Sequence, residues 1–274
     1  MTVRIAPSIL SADFAHLAEE IERVVAGGAD WIHIDVMDGR FVPNLTYGAK
    51  VIETVRRITE LPLDVHLMVV EPERFFDDFA AAGASSLTVH VEVAPHLNRQ
   101  INRIKELGCL AGVAVNPSTS LETVRESAAD LDLLLVMTVN PGFGAQPFIP
   151  AMVDKVSRAR ALLDAASSGA VLEVDGGISR DTVHAVWRAG ADTFVVTENH
   201  SGHDVIADFA IGIDHLEIKQ NLNGNGLMTP ADILATATTD SAGNTVLHLS
   251  QQDDIGRLGG TAHQLTASSL VLTH

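Results

Sequence analysis

Short apolar runs alternate with longer segments of helical periodicity from residue 5 to about residue 196. The runs are rich in β-branched side chains, which is typical of buried strands. They are IAPSIL (5–10), WIHIDVM (31–37), LDVHLMV (63–69), SLTVHV (86–91), AGVAV (111–115), LLLVMTV (133–139), VLEVD (171–175) and TFVV (193–196). Strand–helix alternation predicts right-handed βαβ units, and eight such units favour a closed parallel barrel over an open sheet.

The segments between these runs carry apolar residues at the spacing of one helix face. Clear examples are 16–28, 49–58, 73–83 and 97–108. Each ends near a glycine or a polar break, as helix C-termini prefer. Seven helices are evident, and the helix that should follow the eighth strand is missing. The pattern therefore predicts an α/β chain with a (β/α)8 barrel that lacks the usual last helix.

Composition changes at about residue 199, where Gly, Asn, Asp and Thr become frequent and the basic residues are reduced to Lys219 and Arg257. Short alternating runs predict strands at 214–220 and 245–250, with turns at 223–226 and 241–244. We therefore predict two domains, a barrel over residues 1–198 and a small β-rich C-terminal appendix over residues 199–274.

The chain is acidic, with 35 Asp and Glu against 18 Lys and Arg and a net charge of −17. Such a surface repels phosphate backbones and anionic membranes, so neither nucleic acid nor a membrane is an expected partner. No apolar stretch approaches the roughly 20 residues of a membrane helix, and no signal peptide is evident. The single cysteine, Cys109, excludes an intrachain disulfide and fits a reducing compartment. We expect a cytoplasmic protein.

Polar side chains interrupt the predicted strands on the face that would point into the barrel. Because side chains alternate along a strand, His33 and Asp35 share a face, and His66 and Asp175 lie at corresponding positions near the ends of strands three and seven. Two imidazoles and two carboxylates suit a divalent ion such as Zn, Fe, Mn or Co. The alternative is four separately hydrogen-bonded residues, but their matched positions favour a metal site.

Glycine-rich turns, NPGFGA (140–145) and DGGIS (175–179), follow strands six and seven. Turns of this kind expose backbone N–H groups that can hold phosphate. Together with the metal set they predict a small phosphorylated substrate. Met37, Met68 and Met137 also fall near strand ends, where they would wall the site, although ordinary core filling explains them equally well.

Five motifs, PSILSADF, HIDVMDGRFVPN, DVHLMV, MTVNPGFGAQPFI and EVDGGI, resemble in order and spacing those of the ribulose-phosphate 3-epimerase family over about residues 3–196. The resemblance implies a TIM barrel that binds one divalent metal ion. It also implies an isomerase of carbohydrate metabolism, an epimerase that interconverts D-ribulose 5-phosphate and D-xylulose 5-phosphate in the pentose phosphate pathway.

The resemblance also implies roles for individual residues. The metal ligands would be His33, Asp35, His66 and Asp175. Asp35 and Asp175 would be the catalytic acid–base pair, acting on opposite faces of the sugar. The substrate-binding residues would be Ser8, His66, Gly142, Phe143, Gly144, Ala145, Asp175, Gly176 and Gly177, with the glycine-rich turns holding the phosphate.

Two departures from the family pattern affect the phosphate site. Ala145 stands where the family usually has glycine, and alanine tolerates a positive φ poorly. After the eighth strand, Thr197, Glu198 and Asn199 replace the small-residue phosphate loop, so we expect weaker phosphate binding.

The appendix loosely resembles the terminal segment that follows the calcium-binding repeats of secreted repeat-in-toxin proteins. The resemblance rests on HDVIADFAIGIDHLEI, ADILATATTDSAGNTVLHL and DDIGRLGG. The calcium repeats themselves are absent from the sequence, so calcium binding does not follow.

Two alternatives to the epimerase remain open. One is a catalytically impaired metal-binding barrel that serves as a binding or secreted scaffold, and the other is an epimerase of a different phosphorylated ketose. The intact metal set favours an active enzyme. The sequence also leaves a homo-oligomer open.

Overall fold

The computed structural model describes residues 3–196, 203–205, 216–219, 229–239, 245–248, 254–256 and 270–273. Its chain divides into two compact units, residues 1–199 and 200–274. The junction at Thr197, Glu198 and Asn199, the predicted turns, and the segment where a closing helix would begin lie outside the described residues.

Eight parallel strands form the sheet of the first unit, which confirms the predicted (β/α)8 barrel. They are β1 (Arg4–Pro7), β2 (Ile32–Met37), β3 (Leu63–Met68), β4 (Ser86–His90), β5 (Leu110–Val115), β6 (Leu133–Met137), β7 (Val171–Asp175) and β8 (Thr193–Val196). Consecutive strands pair from β2 to β8, and β8 pairs with β1. A parallel bridge between Ser8 and His33 joins the remaining seam, between β1 and β2.

Helical segments connect the consecutive strands. They are α1 (Leu17–Ala26), α2 (Ala49–Ile58), α3 (Phe76–Ala81), α4 (Leu97–Glu106), a 3₁₀ helix (Leu121–Asp130), α5 (Met152–Ala165) and α6 (Arg180–Arg188). The predicted helix at 73–83 is divided into a 3₁₀ turn, Pro72–Arg74, and α3. The predicted first strand ends early, at Pro7, because the Ser8 side chain accepts a hydrogen bond from the Leu10 N–H and caps a 3₁₀ turn.

The two faces of each strand have different surroundings. Outward residues such as Ile34, Leu67 and Val174 are fully or almost fully buried in the main apolar core, where a barrel strand packs on its helices. The inward residues of β2, β3 and β7 are largely polar, whereas those of β5, β6 and β8 include Ala114, Leu133, Leu135, Met137 and Val195. The interior is therefore polar along β2 and β3 and, across the barrel, along β7, which lies between the more apolar strands β6 and β8.

Hydrogen bonds at the amino ends of the strands recur with a period of two strands. A polar side chain just before each even-numbered strand accepts from a backbone N–H near the start of the preceding odd-numbered strand. The pairs are Asp30 with Ile5, Ser85 with Leu63, Asp132 with Ala111 and Asp192 with Leu172, at 2.8, 3.1, 2.9 and 3.0 Å. These bonds satisfy strand N–H groups at the sheet end away from the site.

In the second unit, the described residues form two small sheets and one helix. Its elements are β9 (His203–Val205), β10 (Leu216–Lys219), α7 (Pro230–Ala235), β11 (Ala237–Thr239), β12 (Thr245–His248), β13 (Asp254–Gly256) and β14 (Leu270–Thr273). Strands β11, β12, β13 and β9 form one sheet, and β10 pairs with β14 in the other. The predicted runs at 214–220 and 245–250 contain β10 and β12. Helix α7 was not predicted, and a Thr229–Asp232 capping box begins it. Among the described helices, none combines the length and hydrophobicity of a membrane span.

Gly112 on β5 allows a close approach of Thr88 on β4. A Cβ at position 112 would lie 2.1 Å from Thr88 Oγ1 and 3.2 Å from Thr88 Cα. We expect Gly112→Ala to lower the free energy of unfolding by about 1–3 kcal/mol, as overpacking of a core does, when measured by urea denaturation. Gly169→Ala is the control, because its Cβ would meet nothing within 4 Å. Equal stability of the two variants would contradict this packing argument.

Candidate active site and metal centre

Four side chains converge at the carboxyl ends of β2, β3 and β7, namely His33, Asp35, His66 and Asp175. One potential ligand atom from each lies within 4.8 Å of the other three. His33 Nε2 and His66 Nδ1 are both 3.2 Å from Asp35 Oδ1, and His66 Nδ1 is 3.8 Å from Asp175 Oδ2. All four are buried, and the most exposed, Asp175, retains 6% of its surface. The structure thus brings together all four predicted residues, which we call the quartet.

The register of the strands produces this convergence. Asp35 on β2 is directly paired with His66 on β3, and the next inward pair is Met37 with Met68. On the other side of the barrel, Asp175 at the end of β7 pairs with Met137 on β6. Asp35 and His66, with Met37 and Met68 above them, therefore lie across the mouth of the barrel from Asp175 and Met137.

The two quartet carboxylates have opposite electrostatic environments. Burial alone would raise the pKa of Asp35, but His33 and His66 beside it hold that pKa well below its usual value. Burial, followed by the negative charge of Asp35, raises the pKa of Asp175 to about 6. Near neutral pH one carboxyl group is thus firmly ionised and the other lies close to its titration point.

The donor set fits a divalent cation. It offers two imidazole nitrogens and two carboxylate oxygens, the ligands that Zn, Fe, Mn and Co share. Burial opposes a charge on His33, yet the Asp35 and Asp64 carboxylates raise its pKa well above the usual value. Positive charge is therefore favoured at this position, and a bound cation supplies it as well as a proton does.

A second layer of carboxyl groups lies beneath the quartet. Asp64 Oδ2 is 2.6 Å from His33 Nδ1, and Ser86 Oγ donates to Asp64 Oδ1 at 2.5 Å. Glu173 Oε1 is 3.5 Å from His33 Nδ1, and burial, with the charge of Asp64, raises the pKa of Glu173 well above its usual value. His33, Asp64 and Glu173 are close enough together to form a second metal-binding group, but Asp64 already accepts two hydrogen bonds and the raised pKa of Glu173 favours its neutral form.

His66 also makes a contact on the side away from Asp35. Its Nε2 is 2.8 Å from His90 Nε2, and His90 Nδ1 is 3.1 Å from Glu92 Oε2. Burial lowers the pKa of His90 to about 4. Burial opposes charge on Glu92, yet hydrogen bonds from His90, Thr119 and the Asn116 N–H lower its pKa to about 2. The three side chains therefore form a chain of contacts from two buried imidazoles to the carboxylate of Glu92, whose side chain is 21% exposed.

A narrow cleft opens above the quartet. Its lining residues are Leu10, Asp35, Met37, Met68, Met137, Val139, Pro141, Gly142, Phe143, Gly144, Ala145, Gln146, Asp175, Gly176 and Gly177. All three predicted methionines and both glycine-rich turns thus border the same space. His33 and His66 lie below it, and Ser8 is outside the lining but donates its hydroxyl hydrogen to Asp35 Oδ2 at 2.6 Å.

The backbone of the two turns is closely constrained. A Cβ on Gly177 would lie 2.4 Å from the Phe148 backbone nitrogen, and a Cβ on Gly176 would lie 2.3 Å from Val139 Cγ2. Ala145 has φ 53°, so the alanine adopts the left-handed conformation. That conformation costs about 1–2 kcal/mol for a residue with a side chain.

Comparison with known proteins gives one consistent family. The model of the ribulose-phosphate 3-epimerase family matches residues 4–199. The ribulose-phosphate 3-epimerase of Bacillus subtilis (strain 168) is 52% identical over 194 residues, which cover 70% of this chain and 89% of the relative. The Escherichia coli (strain K12) ribulose-phosphate 3-epimerase is 48% identical over 192 residues, covering 70% and 85%. The chloroplastic ribulose-5-phosphate-3-epimerase of Arabidopsis thaliana is 48% identical over 193 residues, covering 70% and 69%.

Solved structures of lower identity share the fold. Mycobacterium tuberculosis tryptophan synthase gives a TM-score of 0.52 at 17% identity, covering 71% of this chain and 82% of that one. The tryptophan synthase A-subunit of Pyrococcus furiosus gives 0.54 at 14% identity, covering 71% and 86%. At these identities the likeness concerns the barrel alone.

Sequence reasoning missed the residues that hold the quartet from behind. Asp64 shares the inward face with His66, and this alternation was the signal available for it. His90 ends β4 and Glu92 lies in the 3₁₀ turn after it, with no repeated pattern in the sequence, and Glu173 stands alone in an apolar run. Thr138 donates to the carbonyl oxygen of Asp175 at 2.8 Å, a contact that no sequence pattern indicates.

Metal binding at the quartet should release protons in a pH-dependent number. Metal binding removes the proton that the raised pKa of His33 favours, and the Asp175 pKa of about 6 adds most of a further proton at pH 5.5. Below pH 6, each further unit of pH should therefore lower the metal affinity by about ten times more than the same step above pH 6 does, because one more proton must be displaced. Titration calorimetry with Zn²⁺ or Mn²⁺ in buffers of different ionisation enthalpy measures the protons released. The same number at pH 5.5 and pH 7.5 would contradict the assigned environments.

Proposed function

The chain belongs to the ribulose-phosphate 3-epimerase family, and we propose that it interconverts D-ribulose 5-phosphate and D-xylulose 5-phosphate by proton transfer at C3 between Asp35 and Asp175. The observation that carries the proposal is the quartet, whose two carboxyl groups both line one cleft beside two glycine-rich turns. The family acts on a phosphorylated pentose, and that cleft offers a place for both the sugar and its phosphate.

The chemistry requires a base and an acid at one carbon. Removal of the C3 proton, which is α to the ketone, gives an enediolate, and return of a proton on the opposite face inverts the centre. Without a bound cation, Asp35 is ionised and suited to accept the proton, while Asp175 has a pKa of about 6 and is suited to donate one. Groups whose environments separate their pKa values in this way are typical acid–base pairs. In the reverse reaction the two exchange roles.

The quartet would hold one divalent cation, with Zn, Fe, Mn and Co all compatible with its donors. When bound, such a cation stabilises the negative charge that develops on the substrate oxygens. The chain's own residues orient the reacting groups. Ser8 donates to Asp35 Oδ2 and so fixes the rotation of that carboxyl group, and Asp64 orients His33 through its Nδ1.

The remaining residues of the cleft would bind and enclose the substrate. We propose that the turn from Gly142 to Ala145, together with Gly176 and Gly177, holds the phosphate through backbone N–H groups. Gln146 supports this turn, because its Nε2 donates to the carbonyl oxygens of Asn140 and Phe143. The three methionines would exclude water from the enediolate side of the cleft.

The convergence of all four quartet residues disfavours the alternative of a catalytically impaired scaffold. A cytoplasmic location is proposed for the chain because its single, buried thiol, Cys109, suits a reducing compartment.

Replacing either carboxylate should abolish proton transfer. We expect Asp35→Asn and Asp175→Asn each to lower kcat by about 10²–10⁴-fold, the usual contribution of an acid–base group. The measurement is a coupled assay with ribulose 5-phosphate, with and without added metal. In deuterium oxide the parent protein should place solvent deuterium at C3 of the product.

Glu173→Gln is the matched control. This carboxyl group is also buried, and burial with the charge of Asp64 raises its pKa and favours the neutral form, which the amide matches in charge and shape, so kcat should change only a few-fold. Formation of xylulose 5-phosphate without solvent label, or full activity of Asp175→Asn, would contradict the two-carboxylate mechanism.

A further inference from the structure

His66 contributes a different ring nitrogen to the quartet from His33. His33 presents Nε2 and is held at Nδ1 by Asp64, whereas His66 presents Nδ1 and is held at Nε2 by His90. A nitrogen can bind a cation only when it carries no hydrogen. The position of the hydrogen on the His66 ring therefore decides whether this side chain can be a ligand.

The contact between His66 Nε2 and His90 Nε2, at 2.8 Å, admits one hydrogen between two nitrogens. If His66 supplies it, His66 Nδ1 is free to lose its own proton. If His90 supplies it, a neutral His66 carries its hydrogen on Nδ1, where the cation would bind. The hydrogen position on His90 thus determines whether a neutral His66 can bind a cation through Nδ1.

Glu92 determines which of the two occurs. Its carboxylate can only accept, so the His90 nitrogen that faces it, Nδ1, carries the hydrogen. His90 is completely buried, with the Phe41 ring centroid 4.7 Å from its own, which favours the neutral ring. A neutral His90 with its hydrogen on Nδ1 has a bare Nε2, and the hydrogen in the contact must come from His66.

We propose that Glu92, acting through His90, is a positioning residue that fixes a hydrogen on Nε2 of His66 and thereby keeps Nδ1 available for the cation. The arrangement holds whether Nδ1 is bare or donates to Asp35, because Nε2 carries a hydrogen in both states. The inference rests on the proposed role of His66 as a metal ligand.

The other oxygen of Glu92 is held by two groups, and one of them, a backbone N–H, cannot reverse its direction. Oε1 accepts from the Asn116 N–H at 2.9 Å and from the Thr119 hydroxyl. A backbone N–H is an obligate donor. The loop that carries it is fixed by Lys155, a buried side chain whose Nζ donates to the carbonyl oxygens of Asn116, Pro117 and Thr119 at 2.5, 3.3 and 2.6 Å.

This geometry makes Glu92→Gln an informative substitution. The amide has the shape of the carboxylate, but its oxygen must face the Asn116 N–H, so its NH₂ group faces His90 Nδ1. His90 then accepts at Nδ1 and donates from Nε2, and the hydrogen of His66 moves to Nδ1. Glu92 is separated from the proposed metal ligand His66 only by His90. An isosteric change at Glu92 should therefore reverse the direction of both hydrogen bonds, from Glu92 to His90 and from His90 to His66.

We expect Glu92→Gln to raise the dissociation constant for Zn²⁺ or Mn²⁺ by about 10- to 100-fold, the usual effect of removing a group that orients a ligand. Glu92→Asp, which is less similar in shape but can only accept, should bind metal more tightly than Glu92→Gln. Thr119→Val removes another hydrogen bond from the same carboxylate without reversing the chain, and it should bind metal like the parent. If Glu92 has a purely structural role, Glu92→Gln should bind metal more tightly than Glu92→Asp and about as tightly as the parent.

The tautomer is measured directly by ¹⁵N–¹H correlation spectra of metal-free protein labelled at histidine, with His66 assigned from His66→Gln. The parent should show the hydrogen on His66 Nε2, and Glu92→Gln should show it on Nδ1. A parent ring without a hydrogen on Nε2 would overturn the proposal even if Glu92→Gln did not fold. If His66→Gln binds metal like the parent, the ligand set itself is wrong. If His66→Gln loses metal but Glu92→Gln does not, only the positioning role fails.

Discussion

Asp35 and Asp175 are carboxyl groups removed from water at one end of a barrel, and the site depends on how their charge is compensated. An uncompensated buried carboxylate costs several kcal/mol. Here the compensation comes from His33 and His66, and the same two imidazoles complete a donor set for a divalent cation. The pKa of Asp35 is held low by the two imidazoles against the effect of burial, whereas burial and the charge of Asp35 raise the pKa of Asp175 to about 6.

The barrel supplies the precision that this compensation requires. Pairing of β2 with β3 places Asp35 beside His66, and pairing of β6 with β7 places Asp175 beside Met137. A shift of one residue in either pair would turn these side chains into the outer apolar core. Behind the quartet, Asp64 contacts the His33 imidazole directly. The His66 imidazole contacts His90, which in turn contacts Glu92. The polar side chains inside β2, β3 and β4 are thus connected by hydrogen bonds, and Asp175 on β7 approaches them at 3.8 Å from His66 Nδ1.

Several strands and helices of the barrel, and the four residues of the quartet, could be predicted from the sequence. Strands β7 and β8 and helix α2 coincide with their predicted ranges, because their periodicity is unbroken and their ends are marked by glycine or polar residues. The quartet was predictable because alternation places its members at matched strand ends. The positioning groups were not, because the contact of His90 with His66 depends on the sheet register. Lys155 was also missed, since a lysine on a helix is normally solvated, and its burial depends on three carbonyl groups about 36–39 residues away in sequence.

The central claim is that the quartet holds one divalent cation. Its most direct test is anomalous diffraction from crystals grown with Mn²⁺ or Zn²⁺, with data collected on both sides of the metal absorption edge. If the quartet holds one cation, each barrel should show one strong anomalous peak in contact with His33 Nε2, Asp35, His66 Nδ1 and Asp175. Absence of a peak there, or a peak instead between His33, Asp64 and Glu173, would contradict it.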